Sequence, residues 1–259
     1  MAERLEKLRI SIIYSSPRSY GSSRKISELL AELLRGEDFE VRTFNTYEMR
    51  IEPCMGCVSD NVELCRFPCV INDDARSIYE YLDKSHGLII VSPIYWYNIP
   101  GPLKNLIDRL TVMENSIFTE GRSRLEGKVF GAVVIGNDVG SIAVIQNLMA
   151  IANSMGMIIP PWALAYYTGE DDPLKDEKFL LDLGNLARST AMMIRILVKT
   201  NGDKALWYDA SKDFREMIRR EALEISRRIE SSERNKIASR INMIKEMYLK
   251  TLQAREIKR

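Results

Sequence analysis

Leu8-Arg9-Ile10-Ser11-Ile12-Ile13-Tyr14, running directly into Ser15-Ser16-Pro17-Arg18-Ser19-Tyr20-Gly21-Ser22-Ser23, is the stretch that decides the fold. The apolar run reads as a buried strand, and the hydroxyl-rich turn with its proline and glycine ends it. Ser22–Arg35 then follows with helical spacing, placing Ile26, Leu29, Leu30, Leu33 and Leu34 on the expected inner side. Strand, polar turn and helix start in immediate succession make a place where backbone N–H groups and hydroxyls can hold an anion.

Outward from this unit the alternation repeats. Phe39–Phe44 reads as a second strand and Asp74–Lys84 as a helix capped by Asn72 or Asp73, with Ile78, Tyr81 and Leu82 inward. Gly87–Val91 is an uninterrupted apolar strand of the kind buried in a parallel sheet. Pro102 sits in the first turn of a helix turning Leu103, Leu106, Ile107 and Leu110 inward. Lys128–Ile135, the loop Gly136 to Ser141, the helix Ile142–Ser154 and a short last strand, Gly156–Pro160, complete the series. Such alternation predicts a doubly wound five-stranded parallel sheet covered on both faces, in the order 2-1-3-4-5.

Past Asp171-Asp172-Pro173 the strand signals stop. Leu174–Val198 and Ala210–Ile257 read as helices, the second broken near Ser231-Ser232. Ile237, Ile241, Ile244, Tyr248 and Leu252 form one narrow apolar stripe, which predicts packing on the α/β body or on another subunit of a homo-oligomer. The expected organisation is therefore an α/β domain over 1–170, with a cysteine-bearing insertion at 52–71, and a helical extension over 171–259.

In an open α/β sheet, ligands bind beyond the carboxyl ends of the strands where the strand order reverses. With the expected order, the loop after the first strand and the loop after the third are spatial neighbours. The first offers Ser16, Arg18, Ser22 and Ser23. It has neither the spacing of a triphosphate-binding loop nor Gly-x-Gly-x-x-Gly, so a monophosphate fits it better. The second is Pro93-Ile94-Tyr95-Trp96-Tyr97-Asn98 followed by Ile99, Pro100 and Gly101. Its prolines stiffen a turn that holds flat rings against a planar cofactor. Asn137 and Gly140, in the loop after the fourth strand, meet the same edge.

All four cysteines fall in one segment: Cys54, Cys57, Cys65 and Cys69. Thiols gathered this way suit a [4Fe–4S] cluster, a structural zinc, or disulfides if the source is a hyperthermophile. The scarcity of glutamine (Gln146 and Gln253 alone) leans toward a thermophile. His86, the only histidine, stands between a helix and a buried strand and reads as structural; no histidine-based nucleophile system is visible.

These segments together resemble the NAD(P)H-dependent FMN reductase and iron–sulfur flavoprotein family of the flavodoxin-like superfamily. The family's Gly-Ser-Pro-Arg with Gly-Asn-Thr/Ser is matched by Ser15-Ser16-Pro17-Arg18 with Gly21-Ser22-Ser23. Its Pro-x-Tyr segment continuing to Pro-Gly-x-Leu-Lys is matched by Pro93 to Lys104. Its Cys-x-Gly-Cys and Cys-x-x-x-Asp-Asp are matched by Cys54 to Cys57 and Cys69 to Asp74. The likeness runs over roughly residues 8 to 165 and leaves out the helical tail. It departs at the third cysteine, where this chain has Asp60 and Cys65 comes later. The resemblance implies bound FMN, its phosphate on Ser16, Arg18, Ser22 and Ser23 and its ring along Pro93 to Asn98. It implies NAD(P)H as co-substrate, stacking on the exposed ring face in a pocket shared between subunits. It also implies an acceptor that is a quinone, free flavin or iron–sulfur centre. Two other classes stay open: an electron carrier serving a protein partner without nicotinamide turnover, and a scaffold whose cysteines sense redox state or metal.

Bulk properties fit. With 46% hydrophobic and 28% charged residues in 259, the chain suits one globular core. A net charge of +1 gives no reason to expect nucleic acid as partner. No apolar stretch is long enough for a membrane span, and Met1–Lys7 lacks the core of a signal peptide, so a cytoplasmic location is expected.

Overall fold

The computed structural model describes residues 7–256, apart from the side chains of 235, 237 and 251–256. The elements of the first unit are β1 (Arg9–Tyr14), α1 (Ser22–Gly36), β2 (Glu40–Asn45), α2 (Cys57–Asp60), α3 (Ala75–Asp83), β3 (Gly87–Pro93), α4 (Gly101–Arg109), the one-turn α5 (Thr111–Glu114) and α6 (Ser116–Thr119), β4 (Val129–Gly136), α7 (Ser141–Ser154), β5 (Leu164–Thr168) and α8 (Glu177–Thr200). The five strands are all parallel in the order β2-β1-β3-β4-β5. Ile10 of β1 pairs with Val41 on one side and Gly87 on the other, which brings the ends of β1 and β3 to one edge.

Alternation along the strands sends side chains to two separate cores. On one face Ile13, Ile90 and Val134 pack with Ile78 and Leu82 of α3, Leu103 and Leu106 of α4 and Val144 and Leu148 of α7. On the other Ile12, Ile89 and Val133 pack with Ile26, Leu30 and Leu34 of α1 and with Leu183, Leu186 and Ile194 of α8. At about 25 cal/mol per Å2 of buried apolar surface, these two layers are the main stabilising term.

The structure corrects several local expectations. The last strand is Leu164–Thr168, not 156–160: Ile158 makes only an isolated bridge to Val129. Pro160-Pro161 lack donors for a ladder and Trp162 turns left-handed (φ 62°), so the chain leaves the sheet and re-enters it four residues later. Leu33 faces outward, and Tyr79 joins Ile78 and Leu82 in the core while Tyr81 is only half-buried. The division of the chain falls after Tyr208 rather than near 170, because α8 packs on the sheet and α1. Among the described residues no helix is long and apolar enough to cross a membrane.

The second unit, residues 209–259, is built on one helix, α9 (Lys212–Glu256). The Ser211 hydroxyl accepts from the Phe214 N–H at its start. The expected break at Ser231-Ser232 does not occur. Both hydroxyls donate back to carbonyls within the helix, those of Arg228 and Ile229, and so need no other partner. Of the predicted stripe, Ile241, Ile244 and Tyr248 are exposed; the side chains of Ile237 and Leu252, and residue Ile257, lie outside the described residues.

Candidate active site

At the carboxyl edge of the sheet a cleft of about 700 Å3 opens between four loops. The first is the turn after β1. Asn45, at the end of β2, grips Ser16 from both sides, accepting from its N–H (3.2 Å) and donating to its carbonyl (3.0 Å). The Ser16 hydroxyl donates to the Arg18 carbonyl (2.8 Å) and accepts from the Arg18 N–H (3.3 Å). Its one proton is therefore engaged within the turn, and Ser16 shapes the loop. A Cβ on Gly21 would lie 2.5 Å from that hydroxyl oxygen, which accounts for glycine there.

Among the described residues no side chain caps α1, whose N-cap position is Gly21. The first-turn N–H groups of Ser22 and Ser23 consequently face the cleft without a protein acceptor, at the positive end of the helix dipole. Arg18 and Lys25 line the same side. Lys25 is held by Asp172 at 2.8 Å, a half-exposed pair that contributes little to stability. Five preorganised groups remain for an anion: two N–H donors, the Ser22 and Ser23 hydroxyls beside them, and the Arg18 cation.

Opposite stands the turn after β3. Tyr95 and Asn98 exchange backbone hydrogen bonds of 2.8 and 3.1 Å around Trp96 and Tyr97. Both central residues have positive φ, 50° and 61°, the geometry of a primed turn that ordinarily takes Asn-Gly. Aromatic residues held there cost on the order of 1–3 kcal/mol each, and the flanking prolines and the Asn98 side chain, which accepts from the Ile99 N–H at 2.8 Å, hold the turn in place. Trp96 is 95% exposed, so among the described residues no packing on its side chain accounts for the strain there. Burial, and then a hydrogen bond to Tyr95, push the Tyr47 phenol up to about 12, so it stays protonated against the ring beside it.

The remaining walls are Gly136 to Val139 after β4 and Gly169 to Pro173 after β5. Of the sequence-derived residues, Ser16, Arg18, Ser22, Ser23, Pro93, Ile94, Tyr95, Trp96, Tyr97 and Asn137 line the cleft. Asn98 and Gly140 stand behind it. Asn98 closes the aromatic turn, and Gly140 (φ 99°) leaves room for Tyr97, whose Cδ1 would sit 3.1 Å from a Cβ. Sequence reasoning missed Asn45 and Tyr47, and also the rim Tyr167 to Pro173. That rim follows β5, which the β-forming Ala165-Tyr166-Tyr167-Thr168 ahead of Gly169 signals.

The cysteines form a second centre. Cys54, Cys57, Cys65 and Cys69 surround one small apolar cavity of about 50 Å3, closed by Arg109, Thr111 and Val112. Burial first, and then the other three thiols and Glu114, push the Cys65 thiol up to about 11. All four are free thiols. Among the described residues no three such groups lie close enough to hold a single metal ion, so the thiols ring a space rather than a point. Soft sulfur donors around an apolar cavity fit an iron–sulfur cluster in donor chemistry.

Side chains from elsewhere hold this segment in place. Arg109, fully buried, donates to both oxygens of Asp73 (2.6 and 3.1 Å), to the Glu52 carbonyl (3.0 Å) and to the Ile71 carbonyl (3.4 Å), and so ties the two ends of the insertion together. Asn115 donates to the Val62 and Cys65 carbonyls, and Asn105 to that of Ile51. Asp73 does accept from the Ala75 N–H at the start of α3, but its main partner is Arg109. Burial opposes its charge; the hydrogen bonds from Arg109 and from the Glu52 N–H outweigh that and hold the carboxyl below the usual range.

Residues 8–169 match the protein-family model described as NADPH-dependent FMN reductase. An iron–sulfur flavoprotein of Archaeoglobus fulgidus is 27% identical over 152 residues, covering 59% of this chain and 62% of that protein. One of Methanosarcina thermophila is 30% identical over 156 residues, covering 59% and 76%. The matched stretch thus spans somewhat under two thirds of the first relative. In fold the chain is similar to RosB, solved with 8-demethyl-8-formylriboflavin-5'-phosphate. The TM-score is 0.62 at 15% identity, over 79% of this chain and 90% of that one.

Proposed function

Because this chain belongs to the NADPH-dependent FMN reductase family, we propose that it binds FMN in the cleft at the sheet edge and carries electrons from NAD(P)H to an acceptor. The observation that carries this reading is the pairing of an uncapped, cleft-facing start of α1 with a strained, exposed aromatic turn across from it. Each feature is unfavourable in isolation, and a ligand with an anionic end and a flat end relieves both.

Arg18 and the N–H and hydroxyl groups of Ser22 and Ser23 would hold the phosphate, while Ser16 and Asn45 keep that loop in shape. Pro93 to Tyr97 would line the ring, with Asn98 and Gly140 fixing the turn from behind and Asn137 meeting the ring from the β4 side. When bound, FMN supplies the chemistry, taking a hydride from reduced nicotinamide and returning the electrons to the acceptor. The lining from Pro93 to Tyr97 would orient the ring and keep water from the face it covers.

The four-cysteine cavity favours a second centre: Cys54, Cys57, Cys65 and Cys69 would hold a [4Fe–4S] cluster, which would supply a one-electron site. Helix α4 starts three residues past Asn98, which closes the aromatic turn, and ends at Arg109 on the cysteine cavity. Its eight steps of 1.5 Å make a rigid link of about 12 Å.

Anaerobic purification followed by an absorption spectrum, flavin and iron assays and an FMN titration tests both parts. One FMN per chain, and NADH or NADPH oxidation with a quinone or free flavin as acceptor, is the expected result. Flavin binding without nicotinamide oxidation would leave the electron-carrier role, and no binding of added FMN would overturn the reading.

A further inference from the structure

A second large cavity, of about 630 Å3, opens at the amino ends of the strands, the opposite edge of the sheet from the cleft. Its walls all belong to the first unit: α5 and α6, the chain entering β4, the segment that follows α7, and Trp207-Tyr208. Small-molecule sites are concave and mostly apolar, with a few convergent polar groups. Here the apolar part includes three exposed rings, Phe118, Trp207 and Tyr208. Two of them are fixed from behind by Glu126, which is buried. One of its oxygens accepts from the Trp207 N–H (2.6 Å) and the Tyr208 N–H (2.8 Å), and the other faces Arg122 Nε at 3.3 Å. The Trp207 indole N–H donates to the Gly202 carbonyl at 3.0 Å. Glu126 is therefore engaged, and the rings are held ready. Glu114 differs. It lines the same cavity, yet among the described residues its carboxylate has neither a hydrogen bond nor an ion pair, and burial alone pushes its carboxyl up. No Lys, Arg or His lines the cavity. A half-buried carboxylate without a partner is costly, and a cation relieves it.

We propose that this cavity binds an organic ammonium with a flat apolar body, the ammonium meeting the Glu114 carboxylate and the body packing on Phe118, Trp207 and Tyr208. Aromatic walls favour the same charge, because ring faces attract cations. An anion is rejected by two carboxylates with no cation in the lining to offset them. The site is separate from the cleft at the other edge, so its occupant does not compete with FMN. It lies one helical turn from the cysteine cavity, since α5 gives Thr111 and Val112 to that cavity and Glu114 to this one.

The test is isothermal titration of the full-length protein, with and without FMN, using three probes of one shape: naphthylethylamine, naphthylethanol and naphthylacetate. The amine should bind one-to-one and about tenfold more tightly than the alcohol, and the acid should not bind measurably. Adding FMN should leave the amine isotherm in place. Glu114→Gln keeps the side chain's shape and removes its charge, so it should bring the amine down to the affinity of the alcohol. Trp207→Ala should weaken amine and alcohol alike, and the FMN Kd should be unchanged in both variants. If one variant fails to fold, the probe series and the other variant still decide. Equal binding of the three probes, or no saturable binding of the amine, would overturn the proposal. So would an amine advantage that survives Glu114→Gln, or an amine isotherm abolished by FMN, which would place the amine in the cleft.

Discussion

The sheet-edge cleft and the cysteine segment are assembled in opposite ways. The cleft is made by backbone: strand ends in register, an uncapped helix start and a turn closed by main-chain hydrogen bonds, on a sheet whose two cores hold it rigid. The cysteine segment has no strand and only single-turn helices, and is held by Arg109, Asp73, Asn105 and Asn115 reaching it from other elements. A site made of backbone should tolerate side-chain changes. A site held by a few buried side chains should fail when one is lost.

The largest effect is therefore expected from Arg109→Ala. Removing one partner of a buried pair costs about 3–5 kcal/mol, and the fall in Tm should come with proteolytic nicking inside residues 52–71. Acid should act on the same pair. Asp73 has a folded-state pKa below its ordinary value, so its contribution is complete above the ordinary carboxylate range and is lost as pH falls through the depressed one. Nicking should accordingly begin only below about pH 4. Resistance of Arg109→Ala to both treatments would erase the contrast.

Next comes Gly140→Ala. At φ 99° any side chain is strained, by on the order of 1–3 kcal/mol, and the new methyl would press on Tyr97. Calorimetry and FMN titration should show both a lower Tm and weaker binding. Arg18→Ala should leave Tm unchanged and raise the FMN Kd about tenfold, which is about 1.4 kcal/mol. Ser16→Ala should have less effect on Kd than Arg18→Ala, since its proton already belongs to the turn. If Ser16→Ala proved the more damaging, the phosphate would be held by side chains rather than backbone. The smallest effect on stability is expected from deleting the residues after Ser231, which should leave the α/β unit's Tm alone. It should reduce the mass seen by light scattering if α9 joins copies of the chain, and an unchanged mass would count against that role.

Much of this was legible in sequence because it is local. Apolar runs of β1, β3 and β4 broken by Pro, Gly and Ser announce a parallel sheet, and the strand order follows from how such units wind. Ser16 to Ser23 and Pro93 to Asn98 each declare a loop with a chemistry. Where a local signal was ambiguous the reading slipped. Gly156–Pro160 looks as strand-like as Leu164–Thr168, and only the sheet's edge, where Pro160-Pro161 cannot donate, selects the second. A last strand at 156–160 makes Tyr167 to Pro173 look like the end of a domain, whereas β5 at Leu164–Thr168 makes it the rim of the cleft.

Residue types and their spacing determined by themselves that this chain folds as a five-stranded α/β sheet with a phosphate-friendly turn, an aromatic turn and a gathered set of thiols. Tertiary structure alone decided that Asn45 grips Ser16 from 29 residues away and that Arg109 meets Asp73 across 36. The physical reason is that periodicity records which face of an element is apolar, whereas a buried polar contact depends on which two faces meet. That is settled only when the layers close and water is gone.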